Sequence, residues 1–72
     1  MTNYYATKTN EEIISYLEIA AGRTLLTGEL TDGRRACVKG ALTELQGRVG
    51  EETSGRYIAA TGIRYAKKIL AL

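Results

Sequence analysis

A chain of 72 residues with ten basic and eight acidic side chains, net charge +2 and one cysteine has room for one domain and no internal disulfide. Lacking histidine, it can build neither the common zinc ligand sets nor a Ser-His or Cys-His nucleophile pair, and its mild charge falls short of the dense basic footprint of a strong nucleic-acid binder. A domain near this size buries only about 60% of the surface its unfolded chain exposes, so the core is expected to be thin and oligomerisation is the expected supplement.

The first eight residues, 1–8, read as a short polar arm or strand ahead of a single helical domain, 9–72. Tyr4 and Tyr5 are adjacent and would face opposite ways if extended. This lead lacks the apolar stretch of a signal peptide, and no uncharged run approaches the ~20 residues of a membrane helix. With one cysteine, the expectation is a cytoplasmic protein that makes no use of a membrane.

The spacing predicts a first helix over 10–27. Thr9 and Glu12 match the S/T-x-x-E capping box, and Glu11 adds negative charge at the positive end of the dipole. Ile13, Leu17, Ala20 and Thr24 recur at helical spacing, with Ile14, Ala21 and Leu25 beside them. Gly22 weakens the middle and Gly28 is a natural stop. A strand over 24–26 is the alternative, but that run does not alternate.

A turn at 28–33 leads to a second helix over about 32–49, capped by Thr31 or Asp32. It carries two stripes on opposite sides. Val38, Leu42, Leu45 and Val49 are large and apolar, whereas Gly33, Ala36, Gly40, Thr43, Gly47 and Gly50 are nearly free of bulk. A helical glycine costs about 1 kcal/mol relative to alanine. The small stripe is therefore expected to admit another backbone closely; the alternative is that its glycines break the helix. Cys37, beside the large stripe, is expected to be a small buried hydrophobe.

Residues 50–55 read as a turn in which Thr53 or Ser54 caps a third helix, about 54 to the end. Its seams, Ile58, Gly62, Tyr65, Ile69 and Leu72 beside Ala59, Ile63, Ala66 and Leu70, make an apolar surface wider than a thin core covers. The expected fold is therefore all-α, a small three-helix hairpin or bundle with a short N-terminal arm, homo-oligomeric through that surface. Tyr16 and Tyr65 are expected in the core.

Two clusters are candidate ligand sites. Arg34 and Arg35 follow Gly33 at the start of the second helix, where backbone N–H groups and the dipole favour an anion and arginine adds bidentate contacts. The plainer account is two solvated arginines near Asp32 or Glu29. Tyr57, Thr61, Arg64 and Lys68 share one face of the third helix and offer an aromatic plane, a hydroxyl and two cations, a set suited to a base-plus-phosphate ligand. The plainer account is the solvated face of an amphipathic helix.

These features point to a non-enzymatic oligomeric binding protein acting by occupancy. It would sequester a small anionic, nucleotide-like ligand or mask a partner protein, at the size of the stoichiometric inhibitors that phages encode. It needs no cofactor and no metal. Three helices also permit a helix-turn-helix or ribbon-helix-helix DNA-binding regulator, although residues 2–8 carry only Lys8 as a base. A structural or assembly subunit is the third alternative.

Overall fold

The computed structural model describes residues 3–49 and 53–71, with side chains for 3–49 and 59–71. Three helices, α1 (Asn10–Thr27), α2 (Asp32–Arg48) and α3 (Thr53–Leu70), follow a single 3-10 turn at Tyr4–Thr7. The structure is all-helical, with no strand among the described residues.

The α1 ends follow from its sequence. The Glu12 N–H donates to Thr9 Oγ1 at 3.1 Å, and Glu12 Oε1 accepts the Thr9 N–H at 2.9 Å, closing the capping box. Gly28 ends the helix at φ 76°, a left-handed conformation natural to glycine. Ile13, Leu17, Ala20 and Thr24, at spacings of four, three and four, are the residues α1 buries. Thr24 alone is polar, and its hydroxyl donates to the Ala20 carbonyl at 2.8 Å.

The glycines of α2 do not break it: Asp32–Arg48 is one helix, entered through Thr31, whose hydroxyl accepts the Arg34 N–H at 3.3 Å. Val38, Ala41 and Leu45 are buried, with Leu42 and Val49 packed against them. Within the chain, the small stripe is not the seat of a close helix approach. A Cβ at Gly33 or Gly47 would meet nothing within 4 Å, and one at Gly40 would meet the Tyr5 ring at 3.6 Å. Gly50 lies outside the described residues.

The close approach is made from α3 instead. Ala59, Gly62 and Ala66 are buried at helical spacing, and a Cβ at Gly62 would strike Leu45 Cδ1 and sit 3.0 Å from Ile14 Cγ1. Three small side chains let α3 pack against both α1 and α2, which touch each other far less. Thr53 and Ser54 lie inside α3 rather than in a capping turn, because the helix starts a residue earlier than its sequence suggests. Ile69 is buried, while Ile63, Tyr65 and Leu70 pack against the core. The described part of α3's apolar seams is thus largely covered within the chain; Ile58 and Leu72 fall outside the described side chains.

The N-terminal lead is a 3-10 turn and not an extended strand. Asn3 sets it: Oδ1 accepts the Tyr5 N–H at 2.9 Å, while Nδ2 donates to the Gly40 carbonyl at 2.8 Å. Arg48 holds the other side. Its Nη2 donates to the Tyr5 carbonyl at 2.9 Å, its Nη1 to Asn10 Oδ1 at 2.8 Å, and its Nε to Glu44 Oε2 at 2.8 Å. A planar fork of donors satisfies three partners that a lysine could not reach together. The ribbon that a ribbon-helix-helix would place here is therefore a turn. No helix among the described residues is long and apolar enough to cross a membrane.

Candidate binding cleft

Docking this turn on α2 creates a cleft. It measures about 750 Å³ and lies between the turn, α1 and α2. Tyr4, Tyr5 and Tyr16 form its walls, Ala36 and Gly40 leave room along one side, Cys37 opens into it, and Lys8 and Glu12 stand at its edge. The small face of α2 thus borders a cavity at Ala36 and Gly40.

The tyrosines are graded by depth. Tyr4 is 71% exposed, whereas Tyr5 is 8% exposed with its ring against Gly40. The two rings meet edge to face at 5.1 Å, and Tyr5 and Tyr16 lie tilted at 5.9 Å. Lys8 Nζ sits 5.3 Å from the Tyr4 ring centre, a cation–π contact that keeps a positive charge beside the cleft.

Burial pushes the Tyr5 phenol well above its ordinary ionisation range, and the adjacent Tyr16 and Cys37 groups add to the shift. Burial also raises Tyr16, again helped by Cys37, while a hydrogen bond from Tyr5 and the Arg34 charge oppose it. Both phenols are neutral at physiological pH and can donate hydrogen bonds. The Thr9 backbone N–H, and then its hydroxyl, hold the Glu12 carboxyl below its ordinary range, so Glu12 stays charged within the cap.

The sequence-predicted residues divide. Arg34 and Arg35 are half-buried in the first turn of α2; among the described residues neither pairs with Asp32 or Glu29, and neither lines the cleft. Arg34 lies close enough to Tyr16 for its charge to be felt there. Thr61, Arg64 and Lys68 come together, with Tyr65, around a second, shallower hollow of about 250 Å³ on α3. Arg64 and Lys68 are exposed, whereas Thr61 and Tyr65 are half-buried. Tyr57 lies in α3, but its side chain is outside the described residues.

Three corrections concern side chains. Cys37 is exposed rather than buried, because the neighbouring stripe that it joins faces the cleft. Tyr16 and Tyr65 are half-buried lining residues rather than full core members. Asn3 and Arg48, which build the cleft, are absent from the sequence-predicted site. Asn3 precedes a Tyr pair at a turn-capping spacing, the one local signal that could have marked it.

Among the described residues, no three His, Cys, Asp or Glu side chains gather to hold a metal ion. Compared with known proteins, the chain matches no family model, no curated protein and no solved structure.

Proposed function

We propose that this chain is a non-enzymatic binding protein that acts by occupancy, holding a flat, anionic, nucleotide-like small molecule in the tyrosine cleft. The observation that carries this reading is the combination of tyrosine walls with the Lys8 ammonium set against the Tyr4 ring. A planar ring can stack on a phenol face, and an anionic group finds the Lys8 cation. Size favours the larger of the two hollows. Small-molecule sites usually span ~300–1,000 Å³, which accommodates the 750 Å³ cleft and leaves the 250 Å³ hollow room for little beyond one anionic group.

The second reading places the anion on α3. Thr61, Arg64 and Lys68 surround one hollow there, which favours a phosphate or an acidic protein surface. Equilibrium dialysis against nucleoside mono- and diphosphates separates the readings. Tyr16→Ala and Lys8→Ala are each expected to weaken binding by about tenfold, with Arg64→Ala and Lys68→Ala near wild type. The reverse pattern assigns the ligand to α3. No binding across the panel removes the ligand reading and leaves partner masking.

A further inference from the structure

The edge of the tyrosine cleft carries two opposite charges. Among the described residues, Lys8 and Glu12 are the charged side chains that line it. They stand on either side of Thr9, the N-cap of α1. The Lys8 ammonium rests against the Tyr4 ring at 5.3 Å. Glu12 Oε1 accepts the Thr9 N–H at 2.9 Å, which ties the carboxylate into the capping box. The Thr9 contacts, with Lys8 adding its field, hold that carboxyl below its ordinary range, so its charge is permanent near neutral pH. Arg34 acts on Tyr16 from outside the lining. A capping box needs only an accepting oxygen at this position, and glutamine supplies one as well as glutamate does. The Glu12 charge is therefore separable from the fold.

We propose that Glu12 makes the cleft selective for an occupant with a single negative charge, a flat ring bearing one anionic group such as a cyclic phosphodiester, against phosphomonoesters and polyphosphates. The selectivity rests on the tyrosine cleft being the ligand site and adds the charge of the ligand to that reading. Lys8 matches one anionic group. A second negative charge finds no further cation among the described lining residues, and it shares the cleft edge with a carboxylate that its cap keeps from swinging away. Repulsion between like charges a few ångströms apart at a solvated surface corresponds to about fivefold in affinity for each added charge.

Equilibrium dialysis at about pH 8 and about 20 mM salt, with the ring held constant, tests this directly. The probes are adenosine, its cyclic monophosphate, AMP and ADP, which run from uncharged through singly charged to multiply charged. The cyclic monophosphate should bind tightest, AMP about fivefold more weakly and ADP more weakly still, with adenosine below the cyclic ester because it has no group for Lys8. Glu12→Gln, with unchanged helical circular dichroism, should bring AMP to within about twofold of the cyclic ester, and salt raised to about 0.5 M should narrow the wild-type gap in the same way. AMP or ADP binding the wild type as tightly as the cyclic ester overturns the selectivity and leaves the cleft as the ligand site. A gap that persists undiminished in Glu12→Gln overturns the role of Glu12 and assigns the preference to ligand shape. No binding of any probe by either protein overturns the cleft reading and the selectivity together.

Discussion

Gly47 and Gly62 both remove a side chain from a helix, yet they sit in opposite surroundings. A Cβ at Gly47 would enter open space, whereas one at Gly62 would strike Leu45, which is fully buried and has nowhere to retreat. Gly47→Ala should therefore stabilise the fold by about 0.5–1 kcal/mol, the ordinary gain in helix propensity. Gly62→Ala has the same propensity gain but overpacks the junction of three helices, and should be a net loss of about 1–2 kcal/mol. Urea denaturation of the pair checks both signs; stabilisation by Gly62→Ala would mean that Leu45 can yield to a methyl group at position 62. The sequence sets Gly47 in a stripe of small residues and Gly62 in an apolar seam, but the distance between helices is a property of their crossing and is written at neither position.

At the scale of elements, α1 was legible because its signals are local. The capping box, the i, i+4, i+7, i+11 apolar run and Gly28 each act within a turn or so of the residue that carries them. The 3-10 turn was not legible, since its partners lie 37 to 43 residues away on α2. Arg48 is the test of that long-range anchoring. Arg48→Ala removes hydrogen bonds to Tyr5, Asn10 and Glu44 from a partly buried site, and should cost about 1–2 kcal/mol. Thermal unfolding would register the loss, and Arg48→Lys should recover less than half because it cannot span the three acceptors. The tyrosine cleft shared this illegibility. Its walls come from three elements, so no spacing in the sequence brings Tyr5, Tyr16 and Cys37 together, whereas Thr61, Arg64 and Lys68 share one helix face and were found from spacing alone.

At the scale of the whole molecule, stability should depend on alkaline pH. Burial raises the phenol pKa values of both Tyr5 and Tyr16 in the folded protein above the ordinary 10.0. Below pH 10 both groups are protonated whether the chain is folded or not. Above it the unfolded chain releases these protons first, so stability is lost as pH rises from about 10 toward the folded values. Chemical denaturation between pH 8 and about 11 should show this fall, and Tyr5→Phe should make it shallower. An equally steep fall in Tyr5→Phe would place the alkaline sensitivity elsewhere.

The anchoring of the 3-10 turn also sets an order of events. Contacts that close loops of about forty residues are reached after each helix has formed, since the helices need only local bonds. The turn is held on α2 by Asn3, by the Tyr5 ring on Gly40 and by Arg48. Without the turn in place the cleft loses two of its tyrosine walls. Any occupant's apparent affinity is then its intrinsic affinity scaled by the fraction of molecules in which the turn is docked. Arg48, which clamps the turn but does not line the cleft, would consequently govern how tightly an occupant is retained without touching it.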